Sequence, residues 1–258
     1  MPRIIHINGG FLQSEGKPRA VCHCMAIVQQ KHVILVDTGI GMEDVNDPER
    51  RIHPDVIKAA GFKFNAGDTI IQQLPRFEIN PRDVRDIVLT HLDPDHVGGL
   101  SDFPHATVHL ATEEWRAFQA GDPRYMQAQF AHRPEIKTYE PSSETVFGVE
   151  VRKVETEADI ELYLLPLFGH TAGHCGVLVA DGLKWVLNAG DAYYLREELF
   201  NSDHPVSVMA RAVASNEAER VKSIEKLVRL SQDQTANIEV FGYHDEREFY
   251  RVLNSFKR

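Results

Sequence analysis

The feature that most constrains this chain is a dense group of histidine and aspartate side chains directly after a short apolar segment. Residues 87–89 predict a buried strand, and residues 91–100 then contain two histidines, two aspartates, one proline and two glycines. Successive side chains of a strand point to opposite faces, so His91 and Asp93 share a face while the extended geometry lasts. Pro94 prevents either a strand or a helix from continuing regularly. Because His and Asp are side chains that hold zinc, iron or manganese, the segment predicts part of a metal site.

Three later segments repeat this arrangement of a polar ligand directly after an apolar strand. A lone histidine of this kind is more often structural, but the ordered occurrence of four such segments is much harder to explain in that way. Loops at the same rim of a sandwich can converge in space although they are far apart in the sequence. The later candidates are His170 and His174 after Phe168, Asp191 after residues 185–187, and His244 after residues 238–240.

A fifth strand end adds a carboxylate without a histidine. The apolar segment 32–37 ends in Asp37-Thr38-Gly39. This sequence is either an ordinary turn or a carboxylate that orients a ligand histidine through its second ring nitrogen. We favour the orienting carboxylate because the neighbouring strand ends carry candidate ligands.

Together these motifs resemble the metal-binding motifs of the metallo-β-lactamase fold hydrolases, over nearly the whole chain from Asp37 to His244. The resemblance implies an α+β fold, a four-layer αββα sandwich, with a two-metal site between the sheets. His174 lies outside the ligand pattern of that family, and we interpret it as structural or as a support for a ligand. The resemblance implies one ion held by His91, Asp93 and His170, a second held by Asp95, His96 and His244, and Asp191 as the bridge.

The chain departs from that family at Asp93, where the family usually has histidine. Asp93 could ligate directly, point away and leave the first ion weakly held, or act through a water molecule; we favour direct ligation. An oxygen ligand would move the preference from zinc toward iron or manganese, and a carboxylate at this position is similar to the flavodiiron oxygen reductases. The added negative charge alone predicts a metal-bound water that is less acidic than in an all-imidazole site.

The resemblance implies hydrolysis of a small-molecule substrate by two divalent ions, with zinc expected, and a bridging hydroxide. Asp95 is the candidate proton acceptor. Tyr194, three residues past Asp191, resembles the tyrosine of the N-acyl-homoserine lactonases that assists the substrate carbonyl or leaving oxygen, which favours a lactone or ester-type bond. The alternatives are a thioester hydrolase similar to glyoxalase II and a diiron redox protein related to the flavodiiron reductases. The aromatic-rich segment 113–130 is either core or the wall of a substrate pocket.

Composition excludes several other classes of function. A formal net charge of −10 and a pI of about 5.7 argue against nucleic acid and anionic membrane as partners. Three cysteines and no apolar leader predict a cytoplasmic protein without a disulfide framework, with the thiols of Cys22 and Cys24 buried as small apolar groups. We expect a single domain over residues 1–258, and a homodimer stays open.

The coarse pattern predicts two strand-rich halves with outer helices. Helices are expected to begin at Thr69 and to span residues 214–232 and 246–255. Segments 42–66 and 196–212 are the two candidates for a lid, and segment 42–66 is expected to be irregular.

Overall fold

A computed structural model describes residues 1–233 and 235–255. The strands in this part of the chain are β1 Arg3–Leu12, β2 Ala20–Gln29, β3 His32–Val36, β4 Phe62–Lys63, β5 Val84–Val88, β6 Thr107–Ala111, β7 Glu135–Tyr139, β8 Thr145–Val146, β9 Val149–Glu150, β10 Arg152–Lys153, β11 Leu162–Pro166, β12 Cys175–Ala180, β13 Trp185–Asn188 and β14 Ile238–Phe241. The α-helices are α1 Met42–Asn46, α2 Pro48–Arg51, α3 Pro54–Ala60, α4 Ile70–Gln73, α5 Pro94–Val97, α6 Thr112–Gln119, α7 Pro205–Val213, α8 Glu217–Gln232 and α9 Glu246–Ser255.

Two sheets divide the chain into halves. The first sheet has the order β4-β1-β2-β3-β5-β6-β7, and the second has β10-β11-β12-β13-β14. Strands β3, β5, β6 and β7 run parallel, as do β13 and β14, while the remaining pairs within the two sheets are antiparallel. The parallel pairs need crossover connections, which carry helices on the outer faces of the sheets.

Three apolar layers hold the sheets and helices together. The central layer packs Met25, Ile27 and Val36 of the first sheet against strands β11, β12 and β13 of the second. A second layer lies between the first sheet and helices α1 to α6, and a third lies between the second sheet and α8. This is a four-layer αββα sandwich, and the fold predicted from the sequence is confirmed.

The most deeply buried strands are nearly continuous apolar runs because both faces of each sheet are covered. In β12, for example, five of six residues are buried. Cys22 and Cys24 of β2 are fully buried free thiols, as expected. The longest helix, α8, begins where the Asn216 side chain accepts the backbone N–H of Glu219 at 3.2 Å.

Several sequence-based boundaries were wrong. Segment 42–66 is not irregular, since it forms α1, α2, α3 and β4 and buries Asp44 and Arg51 as an ion pair at 3.0 Å. Strands β4 and β7 and helix α7 were not predicted. Strand β4 has only two residues, β7 lies in a segment interpreted as partly helical, and most of α7 lies in segment 196–212, which was considered only as a lid. Among the described residues, no helix is long and apolar enough to cross a membrane.

Candidate metal centre

The candidate ligands converge on one rim of the sandwich. Five strand ends meet there, and each contributes a short loop. The loop after β5 and helix α5 carry His91, Asp93, Asp95 and His96; the loops after β11, β13 and β14 carry His170, Asp191 and His244; and the loop after β3 carries Asp37. The structure therefore brings together all seven residues that the sequence indicated as ligands, in two adjacent sets.

The first set consists of His91, Asp93, His170 and Asp191. Asp93 Oδ2 lies 3.3 Å from His91 Nε2 and 3.0 Å from His170 Nε2. His170 Nε2 lies 3.5 Å from Asp191 Oδ2. Ligands about 2.0–2.1 Å from a tetrahedral ion stand about 3.3 Å from each other, so the spacing of the four side chains suits one divalent ion.

The second set consists of Asp95, His96 and His244. His244 Nε2 lies 3.4 Å from Asp95 Oδ2, and His96 Nε2 lies 3.8 Å from the same oxygen. Asp191 also faces this set, with Oδ1 3.3 Å from His96 Nε2 and Oδ2 3.2 Å from His244 Nε2. Asp191 is thus the carboxylate that contacts both sets, which is the position that a bridging ligand requires.

Buried polar atoms without a hydrogen-bond partner point into the centre. Among the described residues they include His91 Nε2, His96 Nε2, Asp95 Oδ2 and Asp191 Oδ1. An unpaired buried polar atom is costly, and a cation at each set would satisfy these nitrogens and oxygens together. The donor set and its spacing therefore fit two divalent ions.

The second ring nitrogen of each central histidine is held by a partner. His96 Nδ1 lies 2.9 Å from Asp37 Oδ2, and His244 Nδ1 lies 2.9 Å from the carbonyl of Val21. His91 Nδ1 lies 3.0 Å from the hydroxyl of Thr90. Such contacts fix the ring orientation and leave Nε2 free for a metal.

Asp37 has the orienting contact that the sequence indicated. Its carboxylate also accepts the N–H and the hydroxyl of Thr90, both at 2.8 Å. The residue has φ = 54°, a backbone conformation that non-glycine residues rarely adopt. Strain of this kind persists where the surroundings fix it and clusters at functional sites.

His174 is not placed as a ligand. Its Nδ1 donates to the carbonyl of Leu167 at 2.9 Å, and its Nε2 accepts the backbone N–H of Asp191 at 2.9 Å. Both ring nitrogens are therefore used within the protein. The supporting role suggested by the sequence is consistent with this geometry, because His174 fixes the loop that carries Asp191.

Asp93 has a cationic partner that the sequence analysis missed. The guanidinium of Arg124 forms a bidentate pair with the carboxylate, with Nε 2.5 Å from Oδ1 and Nη2 2.6 Å from Oδ2. Burial alone would raise the pKa of Asp93, but Arg124 together with His91 and His170 holds that pKa well below its usual range. The prediction of a less acidic metal-bound water considered the charge of Asp93 alone, and in this structure that charge is paired with Arg124; the acidity of a metal-bound water stays a prediction.

Glu114 is a second residue that the sequence analysis missed. Its carboxylate is 1% exposed and accepts four hydrogen bonds. Oε1 accepts the N–H of Leu92 at 2.9 Å and the hydroxyl of Tyr125 at 2.8 Å, and Oε2 accepts the hydroxyl of Thr171 at 2.7 Å and the N–H of Gly173 at 3.0 Å. Glu114 thereby ties two ligand loops to helix α6.

Tyr194 lies beside both sets. Its hydroxyl is 3.5 Å from His170 Nδ1, and its ring stacks on His244 with 5.5 Å between centroids. Burial and the nearby Asp191 raise the pKa of Tyr194 well above its usual range. The phenol therefore keeps its proton and remains a hydrogen-bond donor at the edge of the centre.

The aromatic residues of segment 113–130 form core. Phe118 and Phe130 are each 7% exposed, and their ring centroids lie 4.5 Å apart. Trp115 stacks on Phe118 at 4.9 Å. Of the two interpretations left open by the sequence, packing in the helical layer describes these rings. The contribution of this segment to the metal centre is Glu114, Arg124 and Tyr125.

A signal for the two missed residues existed but was weak. Asp93 was the residue out of pattern, so a compensating cation was a reasonable expectation. Segment 113–130 offers two arginines, Arg116 and Arg124, and the sequence does not distinguish them. Arg116 pairs with Glu140 on the surface at 2.8 Å. Glu114 resembled any polar residue in the first turn of a helix.

An αββα sandwich with two histidine–aspartate sets at one rim is the arrangement of the metallo-β-lactamase fold, and comparison with known proteins agrees. Residues 18–233 match the model of the metallo-β-lactamase superfamily. A protein called "Probable metallo-hydrolase" in Mycobacterium tuberculosis is 36% identical over 203 residues, covering 76% of this chain and 64% of that protein. An N-acyl homoserine lactonase of Bacillus cereus is 26% identical over 209 residues, covering 78% of this chain and 75% of the lactonase.

Solved structures show the same fold. An N-acyl homoserine lactone hydrolase with the product N-hexanoyl-L-homoserine at its catalytic metal centre has a TM-score of 0.72 and 22% identity, covering 96% of this chain and 95% of the other. A dizinc quorum-quenching lactonase has a TM-score of 0.58 and 18% identity, covering 89% of this chain and 74% of the lactonase.

The chain belongs to the metallo-β-lactamase superfamily. It is similar to N-acyl homoserine lactonases in sequence and fold. The matched part spans 64% of the length of the mycobacterial relative.

Proposed function

We propose that this protein is a hydrolase that uses two divalent ions to cleave a lactone or ester-type bond in a small molecule. The observation that carries the proposal is the pair of adjacent ligand sets that share Asp191, with the Tyr194 hydroxyl beside them. The similarity to N-acyl homoserine lactonases supports the lactone as the bond to test first.

The first ion would be held by His91, Asp93 and His170, and the second by Asp95, His96 and His244, with Asp191 between them. Two divalent ions held by these residues would supply a water-derived nucleophile at neutral pH and would polarise a carbonyl oxygen. Zinc is the proposed metal, because five of the ligand positions belong to histidine or to the bridging aspartate. The oxygen ligand of Asp93 would also suit iron or manganese.

Asp95 is the proposed proton acceptor. Its Oδ2 is buried without a hydrogen-bond partner and faces His96 and His244. With Oδ2 as a ligand of the second ion, the other oxygen of this carboxylate would take a proton during hydrolysis.

Tyr194 is the proposed hydrogen-bond donor to the substrate. The phenol keeps its proton and lies at the edge of both ligand sets. A donor at this place would stabilise negative charge on the carbonyl oxygen or on the leaving oxygen as the bond breaks.

A substrate panel tests the proposal. Zinc-loaded protein would be assayed with N-acyl homoserine lactones of several chain lengths, aryl esters and glutathione thioesters. We expect lactones or aryl esters to have the highest kcat/KM. Efficient turnover of thioesters with inactivity on lactones would favour the glyoxalase II-like alternative and reject the lactonase proposal.

The role of Tyr194 is tested by Tyr194→Phe, which removes one hydroxyl. We expect kcat/KM to fall by roughly 10- to 100-fold, as for the loss of one donor to a developing oxyanion. Tyr250→Phe is the matched control, because Tyr250 is 49% exposed on α9. An unchanged kcat/KM in Tyr194→Phe would remove the tyrosine from the mechanism without affecting the metal proposal.

A further inference from the structure

The two ligand sets differ in what occupies their lone pairs. In the second set, Asp95 Oδ2 and His96 Nε2 have no hydrogen-bond partner. In the first set, His91 Nε2 also has no hydrogen-bond partner, but both oxygens of Asp93 and the Nε2 atom of His170 are engaged by Arg124. One set is therefore open to a cation, and the other already holds a guanidinium.

The contact to His170 places Arg124 in competition with a metal ion. Arg124 Nη2 lies 2.7 Å from His170 Nε2. A neutral imidazole nitrogen has one lone pair, which can accept a hydrogen bond or bind a metal but cannot do both. Arg124 has no acceptor, so the guanidinium must be the donor in this contact.

The distances would bring an ion bound by Asp93 and His170 into close contact with this guanidinium position. Asp93 Oδ2 and His170 Nε2 are 3.0 Å apart, and Arg124 Nη2 is 2.6 and 2.7 Å from them. An ion about 2.05 Å from both atoms would lie at most about 3.6 Å from Nη2. Two positive charges so close in a buried site repel each other strongly.

The third nitrogen of the Arg124 guanidinium is also held. Its Nη1 donates to the carbonyl of Val213 at 2.6 Å, at the last residue of α7. The adjoining chain is fixed in turn, because the N–H of Ser215 donates to the carbonyl of His170 at 3.0 Å. Binding of an ion at the first set therefore requires displacement of a side chain that has three anchors.

We propose that Arg124 is a built-in competitor for the first metal position, so that the two sets bind divalent ions in a fixed order. The Asp95–His96–His244 set fills first and tightly. The set of His91, Asp93 and His170 fills second and weakly, as the ion displaces the guanidinium from His170. The inference rests on the metal site of the proposed function.

The experiment is a titration of metal-free protein with Zn²⁺ alone, against a chromophoric chelator and in the absence of substrate. In the wild type we expect one tight equivalent and a second that is at least roughly 100-fold weaker. In Arg124→Gln the second equivalent should tighten by about tenfold or more, while the first changes by less than about threefold, because the removed charge lies beside the first set.

Arg116→Gln is the matched control, since Arg116 lies in the same segment, is exposed and pairs with Glu140. It should leave both affinities unchanged. Equal affinities in the wild type, or a weaker second equivalent in Arg124→Gln, would overturn the proposal; the second result would make Arg124 a positioning residue for Asp93. If Arg124→Gln does not fold, the wild-type titration decides by itself.

The outcome is separable from that of the proposed function because no turnover is measured. Ordered binding of two ions by a protein that hydrolyses no lactone or ester would leave this inference intact and reject the proposed reaction. Lactone hydrolysis by a protein that binds both ions equally would do the reverse.

Discussion

Replacing Glu114 by glutamine should weaken the fold and the first metal set together. Glutamine has nearly the same shape, but it offers one acceptor oxygen and an NH₂ group. The hydroxyl of Thr171 or of Tyr125 can rotate to accept from that NH₂ group. The backbone N–H that contacts the same carboxylate oxygen, from Leu92 or from Gly173, is only a donor and cannot accept a hydrogen bond from the NH₂ group.

Whichever way the amide turns, one buried backbone N–H has no acceptor. That costs about 1–3 kcal/mol, which for a chain of this size corresponds to a fall in Tm of roughly 2–10 °C. Because the orphaned N–H lies in a ligand loop, we also expect the affinity of the weaker zinc equivalent to fall by about tenfold, or about 1.4 kcal/mol.

The assays are thermal unfolding of metal-free and zinc-loaded protein and the chelator titration described above. Glu113→Gln is the matched control. Glu113 pairs with the buried Arg152 and not with a ligand loop, with 2.6 Å between Oε2 and Nη1. It should lower Tm without changing either zinc affinity. If Glu114→Gln shifts Tm by no more than the error of the measurement and leaves both affinities unchanged, the four hydrogen bonds do not organise the loops.

Three further perturbations have defined outcomes. Burial raises the pKa of Asp102 to about 7. The native state therefore holds a proton that the unfolded chain releases near pH 4, so the free energy of unfolding falls as pH rises from about 4 to 7. In urea unfolding, Asp102→Asn should be more stable than wild type by on the order of 1 kcal/mol at pH 8, but not below pH 4. A Cβ atom at Gly173 would lie 2.1 Å from the backbone nitrogen of Glu114, so Gly173→Ala should cost about 2 kcal/mol or more, whereas Gly67→Ala, with 3.5 Å to its nearest neighbour, should be mild in the same assay. Chelation should lower Tm by roughly 5–10 °C, reversibly on return of zinc, if the ions are present at about 100 times their dissociation constants; an unchanged Tm would contradict metal binding to the native state.

Apolar runs such as β12 indicated two strand-rich halves, and polar side chains after four of these strands indicated a shared rim. The αββα sandwich and the assignment of the seven ligands were what the resemblance to the family implied. Two elements were missed because they lack a clear pattern of buried apolar residues. Strand β4 has two residues, and α7 exposes Val208 and Met209, so neither has the burial pattern that sequence periodicity detects.

The sequence could not supply the partners of the ligands. Glu114 and Arg124 act through contacts to residues 22 and 31 positions away, and such distances carry no periodicity. Asp37 was found because its strand end lies among the others. A residue on a helix that reaches a ligand loop has no comparable sequence signal, so the supports of the site required the structure.

The pair of Asp93 and Arg124 changes what the departure from the family pattern means. A histidine at position 93 would be neutral, and an aspartate paired with an arginine is neutral as a unit, so the substitution leaves the local net charge as it would be with histidine. The two cases differ in what an arriving ion meets. An imidazole at position 93 stays neutral, whereas the guanidinium of Arg124 can move away and leave the full negative charge of Asp93 for the ion. On this reasoning Asp93→His alone should leave Arg124 in the first set without its Asp93 counter-ion and should not restore tight zinc binding, whereas Asp93→His combined with Arg124→Gln should restore it. Tight binding of both zinc ions by Asp93→His alone, measured by the same titration, would show that Asp93, and not Arg124, sets the affinity of the first position.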